Sequence, residues 1–334
     1  MRVLVTGAAG FIGYHISERL LVEGHTVLGI DNINGYYDHR LKRARLGRLT
    51  AHPDFQFLLC DVADRGSMEG LFGLKKFDAV IHLAAQAGVR HSIDNPHAYT
   101  RSNLTGFLHV LEGCRCAKVP HLIYASSSSV YGGSTQVPFR TEDRVYQPVS
   151  LYAATKRANE LMAHCYSHLF GLAATGLRFF TVYGPWGRPD MAPFRFAQAI
   201  GCGKPIDLYN YGRMQRDFTY IDDIVEGLAR VAALPACGHR VFNIGLSQPV
   251  GLLDFVHALE QAFGRRARRR FLPMQAGDVV RTWADVEPLW QFTGFRPRTS
   301  VADGVARFVD WFRGYYGVPV ERQRLARPRM AQAV

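Results

Sequence analysis

A chain of 334 residues, 48% hydrophobic and 20% charged, holds enough apolar surface for a large core, which excludes a disordered or low-complexity protein. No apolar run approaches the ~18 residues that a membrane-spanning helix needs, and the six cysteines form no CxxC pair or Cys/His cluster, so no metal site is expected. The net charge of +12 is carried almost wholly by arginine, since only six of the 40 basic residues are lysine.

Arg2 to Val5 reads as a first strand, with no charged leader before it. A cytoplasmic protein with reduced, mostly buried thiols is therefore expected. Phe11–Val22 follows as a helix and Thr26–Ile30 as a second strand. Strands at Phe55–Leu59, Ala79–Leu83, His121–Ala125 and Ala173–Phe179 alternate with helices near Leu41–Leu49, His97–Ala117 and Leu151–Leu169. That alternation predicts an α/β fold, a Rossmann-type doubly wound parallel sheet. After about Pro185 the elements shorten. Helices are expected at Met191–Ile200, Ile221–Leu234, Leu252–Phe263 and Val301–Tyr315, with short strands at Pro205–Tyr209 and Val241–Ile244. Residues 1–185 thus read as a dinucleotide-binding domain, and 186–320 mainly as a smaller α/β substrate lobe, with the chain free to cross between them. Residues 321–334 read as a disordered basic tail.

The first turn carries the chemistry of a dinucleotide site. Gly7, Gly10, Phe11, Ile12 and Gly13 lie between the first strand and first helix, in a GxxGxxG spacing. Glycine allows the tight turn and lets the backbone approach a pyrophosphate, while the helix N-terminus offers free N–H groups. Asp31, followed by Asn32, closes the second strand where a carboxylate can bind ribose hydroxyls and repel a 2′-phosphate; NAD is the expected cofactor. Asp61 and Val62 could meet the adenine, although Asp61 could equally cap a helix. Leu83, Ala84 and Ala85 end the fourth strand, where small residues leave room for the cofactor or simply pack.

Tyr152 and Lys156 stand four apart in a helical segment, so both project from one face. A phenol near pKa 10 is a poor base at neutral pH, but an ammonium and a cationic nicotinamide ring both favour phenolate. Ser127, in the run Ser126–Ser129 at the carboxyl end of the fifth strand, is the expected hydroxyl partner of Tyr152, with Ser128 and Ser129 beside it.

With those residues in hand, the sequence resembles the extended short-chain dehydrogenases, and within them the UDP-glucuronate 4-epimerases. The likeness covers nearly the whole chain and is most specific at residues 31–38, 150–164, 178–192 and 217–223. It implies tightly held NAD, a UDP-sugar substrate, and 4-epimerisation of UDP-glucuronate to UDP-galacturonate through a transient 4-keto sugar without decarboxylation. Because a 4-keto uronic acid is a β-keto acid, its carboxylate needs fixed polar donors. Ser127, Ser128, Ser129 and Thr181 are the candidates, with Arg188 as a guanidinium partner or else a structural arginine. The dehydratase relatives carry an Asp-Glu pair where this chain has Ser128 and Ser129, which argues against elimination of water. The resemblance assigns Arg216 and Arg281 to the diphosphate, with Arg213 as a helper, and Tyr209 to the uracil; Arg90 is left unplaced. It also implies a homodimer built through the helices at His97–Ala117 and Leu151–Leu169.

A UDP-glucose 4-epimerase, or another UDP-sugar epimerase, is the nearest alternative, and a non-catalytic NAD-bound binding protein a more distant one. The arginine clusters at Arg265–Arg270 and Arg322–Arg329 lack interleaved aromatic residues. They read as a solvated loop and a frayed end, so neither nucleic acid nor membrane is expected as a partner.

Overall fold

A computed structural model describes residues 1–275 and 277–318, so the arginines at 322–329 lie outside the described residues. Six strands of the amino-terminal half are β1 (Arg2–Thr6), β2 (Thr26–Asp31), β3 (Phe55–Leu59), β4 (Ala79–His82), β5 (Leu122–Ser127) and β6 (Ala174–Phe179). Between them lie α1 (Phe11–Val22), α2 (His39–Thr50) and α3 (Arg65–Leu74), then the short turns α4 (His91–Asp94) and α5 (Pro96–Tyr99), α6 (Gly106–Cys116) and α7 (Leu151–Phe170). The remainder holds β7 (Thr181–Tyr183), α8 (Ala192–Gly201), β8 (Pro205–Leu208), β9 (Gln215–Tyr220), α9 (Ile221–Ala233), β10 (His239–Ile244), β11 (Pro249–Gly251), α10 (Leu252–Phe263), β12 (Arg268–Phe271), α11 (Glu287–Thr293) and α12 (Val301–Tyr316).

Seven parallel strands form one sheet in the order β10-β6-β5-β4-β1-β2-β3. Helices cover both faces, which is why β1, β4 and β6 bury nearly every side chain and show no polar alternation. Strand order reverses between β1 and β4, and the crevice beyond their carboxyl ends is where open α/β sheets receive ligands. β10 comes from the second half of the chain yet pairs with β6, Asn243 facing Arg178 in register. The chain therefore returns to the main sheet after building smaller ones.

Two small sheets, β11-β9-β7 and β12-β8, are built from the later part of the chain. Phe218 stacks on Phe255 at 4.0 Å, and Phe194, Phe308 and Phe312 join α8 to α12. Three expectations need correcting. Arg268–Arg270 is not a loop but the edge strand β12, where Arg269 pairs with Glu260 and Arg270 with Asp207; opposite charges from neighbouring elements make an arginine strand tolerable. The helix expected at His97–Ala117 is interrupted by a π-turn over Thr100–Thr105. Of the six cysteines, all free thiols, only Cys60 and Cys114 are buried; the other four sit at helix ends, on an outer helix face or in a loop.

A buried ionic network ties the elements that matter. Glu160 on α7 accepts from Arg178 Nε at 2.8 Å and Nη2 at 2.9 Å, from Ser126 Oγ at 2.6 Å and from Arg157 at 2.7 Å. Arg178 Nη1 also donates to Tyr131, which donates to Asn243 on β10. Burial alone would raise the Glu160 pKa, but these donors outweigh it and hold it down. Removing one partner of such a pair strands the other charge. Glu160→Gln should therefore lower stability by about 3–5 kcal/mol in denaturant unfolding.

His15, half-buried, and His82, fully buried, are neutral, desolvation pulling their pKa values to about 4 and about 3. His15 pairs with Pro185 O and His82 with Thr6 Oγ1. Below pH 6.5 the unfolded chain binds protons that these folded imidazoles refuse, so their contribution falls as pH drops from 6.5 toward 4. Each should cost about 1–2 kcal/mol between pH 6.5 and 5. The unfolding temperature should fall over that interval, and less steeply in His82→Gln.

Candidate active site

At the switch point one hydroxyl joins the two central strands. Thr6 Oγ1 accepts from the N–H groups of Leu83 and Ala84 at 3.2 and 3.1 Å and pairs with His82 Nδ1 at 2.8 Å. Gly7 follows at φ +73°, and a Cβ there would lie 2.8 Å from Ala84 N, so both conformation and space require glycine. A Cβ on Gly13 would meet Gly7 O at 2.0 Å, which is how α1 comes to lie hard against the turn. No side chain caps α1, leaving its first N–H groups for an anion.

A cleft runs from this turn along the sheet's carboxyl edge. Gly7, Gly10, Phe11, Ile12, Gly13, Asp31, Asn32, Asp61, Val62, Leu83, Ala84 and Ala85 line one end, and Ser127, Ser128, Ser129, Tyr152, Lys156, Thr181 and Arg188 line the other. Asp31 Oδ1 accepts from Ile33 N at 2.8 Å, with Lys42 Nζ 3.7 Å away. Asp61 accepts from Ala63 N and from Arg101, while the cap of α3 is Asp64. These groups suit NAD: a bare helix N-terminus, a turn with no room for side chains, and a carboxylate in the cleft at the end of β2.

Ser150 caps α7 by accepting from Ala153 N at 3.1 Å, which starts the helix at Leu151, one residue before Tyr152. Tyr152 and Lys156 then share the face toward β5. Lys156 Nζ donates to Ala125 O at 2.9 Å, and burial, with a further push from Arg188, pulls its pKa down to about 8. Burial pushes the Tyr152 phenol up; the charge of Arg188 and a hydrogen bond with Ser127 pull it back, while Asp190 opposes them. Arg188 is thus the leading cationic influence on Tyr152 in this site. Ser127 Oγ accepts from Ser129 N at 3.1 Å, opening the short 3₁₀ turn Ser128–Tyr131 that presents the hydroxyls.

Arg188 grips Asp190 through Nε at 3.1 Å and Nη2 at 2.5 Å, and Tyr36 donates to the same carboxylate at 3.1 Å. Burial would lower the Arg188 pKa, yet Asp190 and the nearby phenols hold it above its ordinary value. The nucleotide candidates lie outside the cleft lining. Arg216 donates to Gln215 O and Val280 O, and burial lowers its pKa to about 10. Arg90, unplaced by sequence, stacks on Tyr209 at 4.7 Å and pairs with Asp278 at 3.0 Å. Arg281 is exposed beside the Gln215 backbone.

Four participants carried no sequence assignment: Gln86, Asn103, Tyr36 and Asp190. Asn103, in the π-turn, accepts from Gln86 N and donates to Gln86 O and Thr155 Oγ1, and so ties the cleft floor to α7. Gln86 Nε2 is buried without a hydrogen-bond partner while the residue lines the cleft. Only the π-turn's departure from regular helix marks Asn103, and no periodicity reveals that.

Residues 3–245 match the NAD dependent epimerase/dehydratase family. A probable UDP-glucuronate 4-epimerase of Rhizobium meliloti is 47% identical over 334 residues, covering 95% of this chain and 98% of that protein. A UDP-glucuronic acid 4-epimerase of Bacillus cereus, solved with UDP-glucuronic acid and NAD, superposes with a TM-score of 0.89 at 35% identity, over 95% of this chain and 100% of that one. A UDP-glucose 4-epimerase of Thermotoga maritima, solved with UDP-glucose, gives a TM-score of 0.87 at 28% identity over the same shares. The chain belongs to the NAD dependent epimerase/dehydratase family.

Proposed function

We propose that the chain is an NAD-dependent UDP-glucuronate 4-epimerase, an isomerase that interconverts UDP-glucuronate and UDP-galacturonate. The observation that carries this reading is the setting of Tyr152: its cleft also holds Ser127, Ser128, Ser129, Thr181 and a guanidinium, the donors an acidic sugar requires. The identities to UDP-glucuronate 4-epimerases support the same choice.

Bound NAD supplies a reversible hydride acceptor, and this chain's residues do the remainder. Gly7, Gly10, Phe11, Ile12, Gly13, Asp31, Asn32, Asp61, Val62, Leu83, Ala84 and Ala85 hold it. Tyr152 takes the proton of the C4 hydroxyl and later returns it, with Ser127 bridging phenol and sugar oxygen. Lys156, pinned near Ala125 O, orients the cofactor's ribose and keeps positive charge near the phenol. Ser128, Ser129, Thr181 and Arg188 hold the carboxylate so that its C–C bond stays out of line with the C4 carbonyl, and carbon dioxide is not lost. Arg216, Arg281 and Tyr209 take the nucleotide end, beside Arg90.

The reading includes a cytoplasmic homodimer formed through α6 and α7. Leu108 on α6 and Leu161 on α7 are 39% and 52% exposed, apolar side chains that a second copy's helices would cover. Among the described residues no helix is long and apolar enough to cross a membrane.

NMR of UDP-glucuronate with the purified protein and no added NAD should show UDP-galacturonate and no pentose. Equal or better turnover of UDP-glucose would overturn the substrate assignment. Tyr152→Phe should lower kcat by about 10²–10⁴-fold. Leu161→Glu should shift the protein toward monomer in sedimentation velocity; an unchanged dimer would rule out this interface.

A further inference from the structure

The Arg188–Asp190 pair poses a problem for a substrate carboxylate. Arg188 faces the cleft, yet Nε and Nη2 of its guanidinium are already given to Asp190, two residues along the same loop. An acidic sugar reaching Arg188 would bring a second anion to one cation, and carboxylates so crowded repel one another. Asp190 also has another donor. Tyr36 Oη donates to Asp190 Oδ2 at 3.1 Å, and both its ring and its hydroxyl have close neighbours. It packs on His91 at 4.6 Å between ring centroids, and its hydroxyl lies where a Cβ on residue 88 would come within 2.7 Å, a place open only because that residue is Gly88 at φ +112°.

We propose that Asp190 is a positioning residue that competes with the substrate carboxylate for Arg188, while the packed phenol of Tyr36 holds Asp190 whenever Arg188 turns to the sugar. The competition has a purpose in the proposed epimerisation, on which this inference rests. The keto sugar must turn over between two half-reactions, so its carboxylate must leave one set of contacts and enter another. A guanidinium with no rival would clamp the carboxylate by a bidentate, charge-assisted pair and oppose that turn. With Asp190 at hand, Arg188 exchanges one carboxylate for another and is never left bare. The same exchange governs the field at Tyr152, where Arg188 and Asp190 act in opposite senses.

The test measures Kd and kcat on NAD-loaded protein for UDP-glucuronate, with UDP-glucose binding as the control without a carboxylate. Asp190→Asn keeps the shape and removes the rival charge. It should tighten UDP-glucuronate about tenfold, lower kcat by a similar factor, and leave UDP-glucose binding unchanged. Asp190→Glu should move both quantities back toward wild type. Tyr36→Phe removes the alternative donor, so Asp190 holds Arg188 more firmly and UDP-glucuronate should bind more weakly, opposite in sign to Asp190→Asn. Equal shifts for both nucleotides, weaker UDP-glucuronate binding by Asp190→Asn, or shifts of one sign in both variants would overturn the inference. Wild-type turnover separates the two levels: if wild type ignores UDP-glucuronate, the acidic-sugar reading fails and takes this inference with it. If wild type turns it over and the variants behave alike, only the inference falls.

Discussion

A carboxylate taken out of water must be met by donors on every side, and Glu160 meets that demand by drawing four elements together. Its oxygens receive Arg178 from β6, Ser126 from β5 and Arg157 from its own helix. Through Tyr131 the same network reaches Asn243 on β10. The groups proposed for the proton transfer, Tyr152, Lys156 and Ser127, hang on two of these elements. Tyr152 and Lys156 lie about two turns and about one turn before Glu160 on α7, and Ser127 follows Ser126 directly. The distance between phenol and serine is therefore set less by their own contacts than by a buried ion pair behind them. Such pairs add little net stability compared with apolar packing, but breaking one leaves a bare charge behind.

The electrostatics in front of that framework are divided. Lys156 is buried and its ammonium is destabilised, while Arg188 keeps its charge because Asp190 and two phenols surround it. The site thus has one cation whose proton is loosely held and another whose charge is permanent but shared. That division suits a base which must give and take a proton within a single turnover.

Much of this was legible in the sequence because it is local. The GxxGxxG turn, Asp31 at the end of β2, and Tyr152 with Lys156 on one helix face each follow from short spacings. Non-local features were not. Tyr36 and Asp190 meet across 154 positions, and no pattern within either segment announces the other. Arg178 reads as one more residue of an apolar strand until its partner on α7 is seen. The π-turn at Asn103 costs nothing in hydrophobic periodicity, so a continuous helix fits the sequence equally well. Arg268–Arg270 defied strand propensity because parallel pairing to β8, with Asp207 and Glu260 opposite, overrides it.

The return of β10 to the main sheet bears on how the protein is made. Synthesis delivers the chain from its amino end, and folding can begin on what has emerged. When β6 is complete, its outer edge has no neighbour; β10 arrives only after residues 180–238 have been added. During that interval a nascent chain displays an open parallel edge, the kind of surface that invites wrong pairing and recruits chaperones. Asn243 arrives with β10, so the serine turn gains its last anchor, through Tyr131, late in translation. A ribosome that stalled after β6 would hold a nearly finished dinucleotide fold whose reactive corner was still loose.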